Sequence, residues 1–105
     1  MTELEYALTR FGEECNEVSQ EVSKVICFTP DHSYKEGEPS NADRLKAEFL
    51  QLLGMALVVQ GLGVDLGLGE VISSLPYESQ KEINLKIFKY NRYLEISRKL
   101  GVKVE

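Results

Sequence analysis

The sequence predicts an all-α protein, a single helical domain over residues 1–105. Three observations carry that prediction. Apolar residues recur at alternating steps of four and three through the first quarter of the chain. Proline and glycine clusters then cut the rest into stretches long enough to be helices. No stretch alternates apolar and polar residues with the period of two that a half-buried strand requires.

The first helix is expected from Thr2 to Phe28. Its seam reads Leu4, Leu8, Phe11, Cys15, Val18, Val22 and Val25, the spacing of a coiled-coil-type stripe. Gly12 costs about 1 kcal/mol relative to Ala inside a helix and marks an expected bend. Pro30 stops the helix. A loop follows over residues 29–40, rich in Pro, Gly and Ser. Ser40, three before Asp43, caps the second helix.

The second helix is expected from about Asn41 to Gln60. Its later half is apolar nearly all round, from Phe49 through Val59 with Gln51 and Gly54 as interruptions. Such a helix needs cover on several sides. A chain of this length offers few elements to cover it, so the sequence predicts a bundle completed by oligomerisation. Gly61 to Gly69 breaks the helix. A short helical stretch follows near Glu70 to Leu75 and ends at Pro76. The last helix is expected from Glu78 to Leu100, with Ile83, Ile87, Tyr90, Leu94 and Ser97 on one side. Gly101 stops it, and Arg98 and Lys99 suit the negative end of its dipole.

Composition narrows the partners. Hydrophobic residues are 43% and charged residues 28%, the mix of a folded globular chain. The 12 Lys and Arg face 17 Asp and Glu, a net charge of -5. That balance argues against nucleic acid or an anionic membrane as the main partner. The acidic N-terminus does not resemble a signal peptide. The apolar run from Phe49 to Val59 is shorter than the roughly 18 residues of a membrane span. Cys15 and Cys27 are twelve apart. On one helix they would lie about 18 Å from each other, too far for a disulfide. They read as small buried residues in a reducing, cytoplasmic compartment.

The acidic residues are not scattered. Glu13, Glu14, Glu17 and Glu21 occupy neighbouring turns of the first helix. Glu14 lies three after Phe11 and four before Val18, beside the apolar seam. Carboxylates this close repel, and a hard divalent cation offsets that repulsion. The alternative is a solvated acidic face. Glu48 sits three after Leu45 and four before Leu52, within the most apolar helix. A carboxylate there is costly unless paired, with Arg44 for example, or bound to a metal. Antiparallel packing of the two helices would bring Glu14 and Glu17 to Glu48, as helical bundles do when they build carboxylate metal sites.

Glu13-Glu14-Cys15-Asn16-Glu17 has the form E-E-x-x-E, and Glu48-Phe49-Leu50-Gln51 stands in the place of an E-x-x-D. With Ser23-Lys24, Asn41-x-x-Arg44-Leu45, Lys86-Ile87-x-Lys89 and Ser97-Arg98-Lys99-Leu100-Gly101, this order resembles the small, often phage-encoded, MazG-like members of the all-α nucleoside triphosphate pyrophosphohydrolases. The resemblance implies a MazG-like four-helix core, commonly dimeric or tetrameric. It implies cleavage of a nucleoside triphosphate to the monophosphate and pyrophosphate with Mg²⁺, or Mn²⁺ in its place. Carried over, the metal ligands are Glu14, Glu17, Glu48 and the residue at Gln51. Glu13 is carried over as an orienting or water-activating carboxylate. Candidate phosphate contacts are Lys24, Arg44, Lys86 and Lys89, with solvated surface cations as the alternative.

One position departs from the pattern. Gln51 stands where the family carries Asp. A Gln carbonyl can ligate Mg²⁺, but it brings no charge and cannot act as a base. The rival expectation is therefore a catalytically impaired relative that binds a nucleotide or a protein partner without turnover. A purely structural bundle subunit is a third. Gly61-x-Gly63-x-x-x-Gly67 lacks the preceding strand of a dinucleotide loop. His32 has no second His for a zinc pair.

Overall fold

Thr2 opens the first helix with a reciprocal cap: its hydroxyl accepts from the Glu5 amide at 3.1 Å, and the Glu5 carboxylate accepts from the Thr2 amide at 3.1 Å. In the computed structural model, which describes residues 1–105, α1 then runs from Glu3 to Phe28. The expected bend at Gly12 does not interrupt it; Gly12 faces open space. Thr29 ends it at positive φ, and the Thr29 amide donates to Val25 at 3.0 Å. Asn41, buried at the start of the second helix, donates its side-chain amide to the Thr29 carbonyl at 3.1 Å. That bond ties the two ends of the loop together.

The Ser40 hydroxyl accepts from the Asp43 amide at 3.1 Å and starts α2, Asn41–Gly61. The chain then turns under the Gln60 side chain, whose carbonyl accepts from the Leu66 and Leu68 amides at 3.1 and 3.0 Å. A short α3, Gly69–Ser73, leads to Pro76 and α4, Tyr77–Lys99. Gly101, at φ 95°, supplies the left-handed stop after α4. The fold is all-helical, with no strand.

Contacts fix the directions. Residues near 7 on α1 meet those near 59 on α2, and Thr29 meets Asn41, so α1 and α2 are antiparallel. Tyr6 bonds Ser97 and Glu14 pairs with Lys86, so α1 and α4 are antiparallel too. It follows that α2 and α4 point the same way, and that residues 62–76 carry the chain back along the bundle. One apolar cluster joins all three long helices: Tyr6, Ala7, Met55, Val59, Tyr90 and Leu94. Burying a large apolar side chain contributes about 1.5–3 kcal/mol.

Two expectations need correction. On α1 the face turned inward carries Ala7 and Glu14, both buried, whereas Leu8 and Val22 are about two-fifths exposed and Cys15 is exposed. The stripe rotates because Phe11, Val18 and Val25 belong to two adjoining stripes at once, and the small Ala7 admits the closest packing. Cys27 is exposed as well, on the last turn of α1 where no other helix covers it. On α2 the core residues Leu50, Met55, Ala56 and Val59 are covered within the chain by α1 and α4, and only Phe49 among its large apolar residues is exposed. The uncovered apolar surface lies elsewhere, on α4 at Leu85, Phe88, Tyr93 and Ile96 and on α1 at Ile26 and Phe28. No helix is long and apolar enough to cross a membrane.

Candidate metal centre

The inward rotation of α1 puts Glu14 where an apolar residue would be expected. Its side chain is only 8% exposed. Glu17, one turn on, projects from the same helix toward α2, and Glu48 projects from α2 to meet them. One carboxylate oxygen from each of Glu14, Glu17 and Glu48 lies within 4.8 Å of the other two. Antiparallel packing thus produces the convergence expected from sequence.

Three carboxylates so close raise the free energy of the fully ionised set. Partial burial pushes the Glu17 carboxyl above its usual range, and Glu48 adds to this by hydrogen bonding and repulsion. Glu14 and Lys86 act in the opposite direction. Lys86, from α4, donates its ammonium to Glu14 Oε1. Glu14 Oε2 and Glu48 Oε2 are buried without a hydrogen-bond partner. Buried oxygens left without donors are unusual, because each costs about 1–3 kcal/mol. Two such atoms in an all-oxygen set fit a hard divalent cation.

Beside the acidic group lies a cavity of about 340 Å³ between α1 and α4. Glu13, Glu14, Glu17 and Lys86 line it together with Tyr6, Arg10, Met55, Tyr90 and Tyr93. Tyr6 and Tyr90 stack at 5.9 Å, and the Arg10 guanidinium stands 5.1 Å above the Tyr6 ring. Arg10 also bonds Glu13 at 2.9 Å and Tyr6 at 3.4 Å, and the Tyr6 bond leads the interactions that raise the pKa of its guanidinium. Burial pushes the Tyr90 phenol up to about 12, and its hydroxyl has no partner. The aromatic wall was not picked out from sequence. The steps 6, 10, 13, 17 on α1 and 86, 90, 93 on α4 carry the signal, each set falling on one helix face.

The remaining candidates divide. Gln51 is half-buried and lines a small neighbouring depression with Glu82, Leu85, Lys86 and Lys89. Glu13 is exposed at the cavity and pairs with Arg10. Lys24 pairs with Glu21 at 3.0 Å, and Arg44 pairs with Glu38 at 3.3 Å and lies 4.9 Å from the Tyr34 ring. Arg44 therefore does not neutralise Glu48. Lys24 and Arg44 line neither the cavity nor the depression. His32 is exposed and stacks on Phe28 at 5.8 Å.

Comparison with known proteins gives no match for this chain among family models, curated proteins or solved structures.

Proposed function

We propose that the chain is a Mg²⁺-dependent, MazG-like nucleoside triphosphate pyrophosphohydrolase. The observation that carries this reading is the convergence of Glu14, Glu17 and Glu48, with buried, unpartnered oxygens on two of them, beside a cavity lined by cations and aromatic rings. In this reading the three glutamates hold Mg²⁺ or Mn²⁺. When bound, the metal polarises the phosphates and lowers the pKa of a coordinated water. Glu13 lies on the cavity wall and can orient the water. Lys86 and Lys89 supply positive charge for the phosphates, and the tyrosine-lined end of the cavity takes the nucleoside. Lys24 and Arg44 already have carboxylate partners and are the more remote phosphate candidates.

A homodimer or tetramer belongs to the same reading. Only 13 of 105 residues are buried, while α4 leaves Leu85, Phe88, Tyr93 and Ile96 in one open groove. A second copy packed there would complete a four-helix core.

Gln51 favours one other reading, a relative that binds nucleotide without turnover. It offers a neutral oxygen where the family pattern has a carboxylate. The test is a pyrophosphate-release screen over the ribo- and deoxyribonucleoside triphosphates with Mg²⁺ and with Mn²⁺. Release of pyrophosphate and monophosphate supports the enzyme. Nucleotide binding with no release from any triphosphate supports the binder, and neither binding nor release removes both.

A further inference from the structure

Gly54 is the one glycine of the chain at which an added Cβ would meet close neighbours. It would stand 2.9 Å from Lys86 Cβ, 3.0 Å from Lys86 Cγ and 3.1 Å from the Ile83 carbonyl oxygen. The first two atoms are the root of a side chain and the third is backbone, so they yield little. Gly54 is itself buried on α2. The missing side chain is therefore a notch in α2, and the stem of Lys86 lies in it. The notch directs the ammonium to Glu14 Oε1, where it pairs with a carboxylate that is almost fully buried.

A second carboxylate lies on the same helix as Lys86, one turn away in sequence. Glu82 stands four residues N-terminal, the favourable order for a Glu–Lys pair on a helix. Glu82, Lys86 and Lys89 line one depression together with Gln51. The ammonium occupies an inner position on Glu14, and the depression that Glu82 also lines is the outer position open to it.

We infer that Lys86, seated in the Gly54 notch, is a built-in counter-cation that occupies Glu14 and exchanges with the divalent metal there. This rests on the proposed metal centre and adds its regulation. An ammonium and a divalent cation both draw on the Glu14 carboxylate, so each weakens the other's hold. Without the ammonium, Glu14 would be a buried charge with no compensation. With the metal in place, the ammonium moves to the outer position and faces the depression. There it is available to an anionic ligand. Gly54 is a positioning residue in this scheme, since it touches neither metal nor ligand.

Two measurements test the exchange. Mn²⁺ affinity is read by electron paramagnetic resonance of free Mn²⁺ in titrations of the wild type and Lys86→Met. The substitution keeps the stem and removes the charge, and Mn²⁺ should bind about tenfold more tightly or better. Equal or weaker binding in Lys86→Met overturns the exchange while leaving the metal centre standing. No Mn²⁺ binding by either protein removes the metal centre and the exchange together. The second measurement uses the unmodified wild type, in case Lys86→Met does not fold. Acetylation of each lysine by an amine-reactive ester is followed by mass spectrometry. Labelling of Lys86, relative to that of Lys46, should rise severalfold on adding Mg²⁺. An unchanged or falling ratio overturns the inference.

Discussion

The bundle has two levels built from the same three helices in opposite ways. At one level Tyr6, Ala7, Met55, Val59, Tyr90 and Leu94 close on one another with little polar material. At the next, Glu14, Glu17, Glu48 and Lys86 converge on the same helix faces. Seven residues of α1, about two turns, separate Ala7 from Glu14. The apolar level gains free energy from its buried apolar contacts, with the Tyr90 hydroxyl its one unpartnered oxygen. The charged level has buried oxygens without partners and like charges within 4.8 Å. The contrast teaches that the first level stabilises the fold while the second keeps like charges and unpartnered oxygens together at some expense to it.

The comparison breaks most visibly at the apolar level. Met55, 1% exposed, belongs to the apolar cluster that joins the helices. Met55→Ala should lower the free energy of unfolding by about 2–5 kcal/mol, read by urea denaturation. Provided the protein still folds, the response of its melting temperature to Mg²⁺ should persist. A loss of that response in a folded Met55→Ala protein would mean that the two levels are not separable.

At the charged level the next largest effect is a gain. Gln51→Asp supplies the carboxylate that the proposed MazG-like reading expects at this position. It should tighten Mg²⁺ binding and raise pyrophosphate release about tenfold, corresponding to about 1.4 kcal/mol. If the wild type is inactive and Gln51→Asp is active, the natural protein is a binder on an enzyme scaffold. If the wild type is fast and the variant no faster, Gln51 is not a ligand position.

A smaller effect concerns protons. The Glu17 carboxyl is raised in the folded protein, first by burial and then by Glu48. A raised acid binds its proton more readily folded than unfolded, so its ionisation destabilises the fold at neutral pH. That cost is relieved as pH falls through the raised pKa. In chelator, Glu17→Gln should therefore be the more stable protein at pH 7, and its advantage should shrink as pH approaches 4.5, the ordinary Glu value. Denaturant midpoints across that range check the sign. An advantage that grows on acidification would contradict it.

Much of this architecture was legible in sequence, for identifiable reasons. Pro30, Ser40, Pro76 and Gly101 act locally, so the helix ends fell within a residue or two of where caps and breakers put them. The convergence of Glu14, Glu17 and Glu48 was legible because antiparallel packing of α1 and α2 leaves them few other places to go. The inward stripe of α1 was not. Leu8, Cys15 and Val22 are more apolar than Ala7, Glu14 and Glu21, and both sets share Phe11 and Val18 as neighbours. Only the packing of Ala7 against the tyrosines and α2 decides between them. The Lys86–Glu14 pair was equally hidden, because it joins residues 72 apart and depends on a glycine in a third helix.

The central claim is that Glu14, Glu17 and Glu48 form one metal centre. Its most direct test is the melting temperature of the wild type and of Glu48→Gln across a Mg²⁺ titration. A cation bound only by the folded state adds about 2.7 kcal/mol of stability at a hundred times its Kd. The wild type should melt at steadily higher temperature as Mg²⁺ rises, and Glu48→Gln should lose most of that rise while starting from a metal-free stability no lower than that of the wild type. Identical curves for the two proteins, or no response of the wild type at millimolar Mg²⁺, would contradict the account.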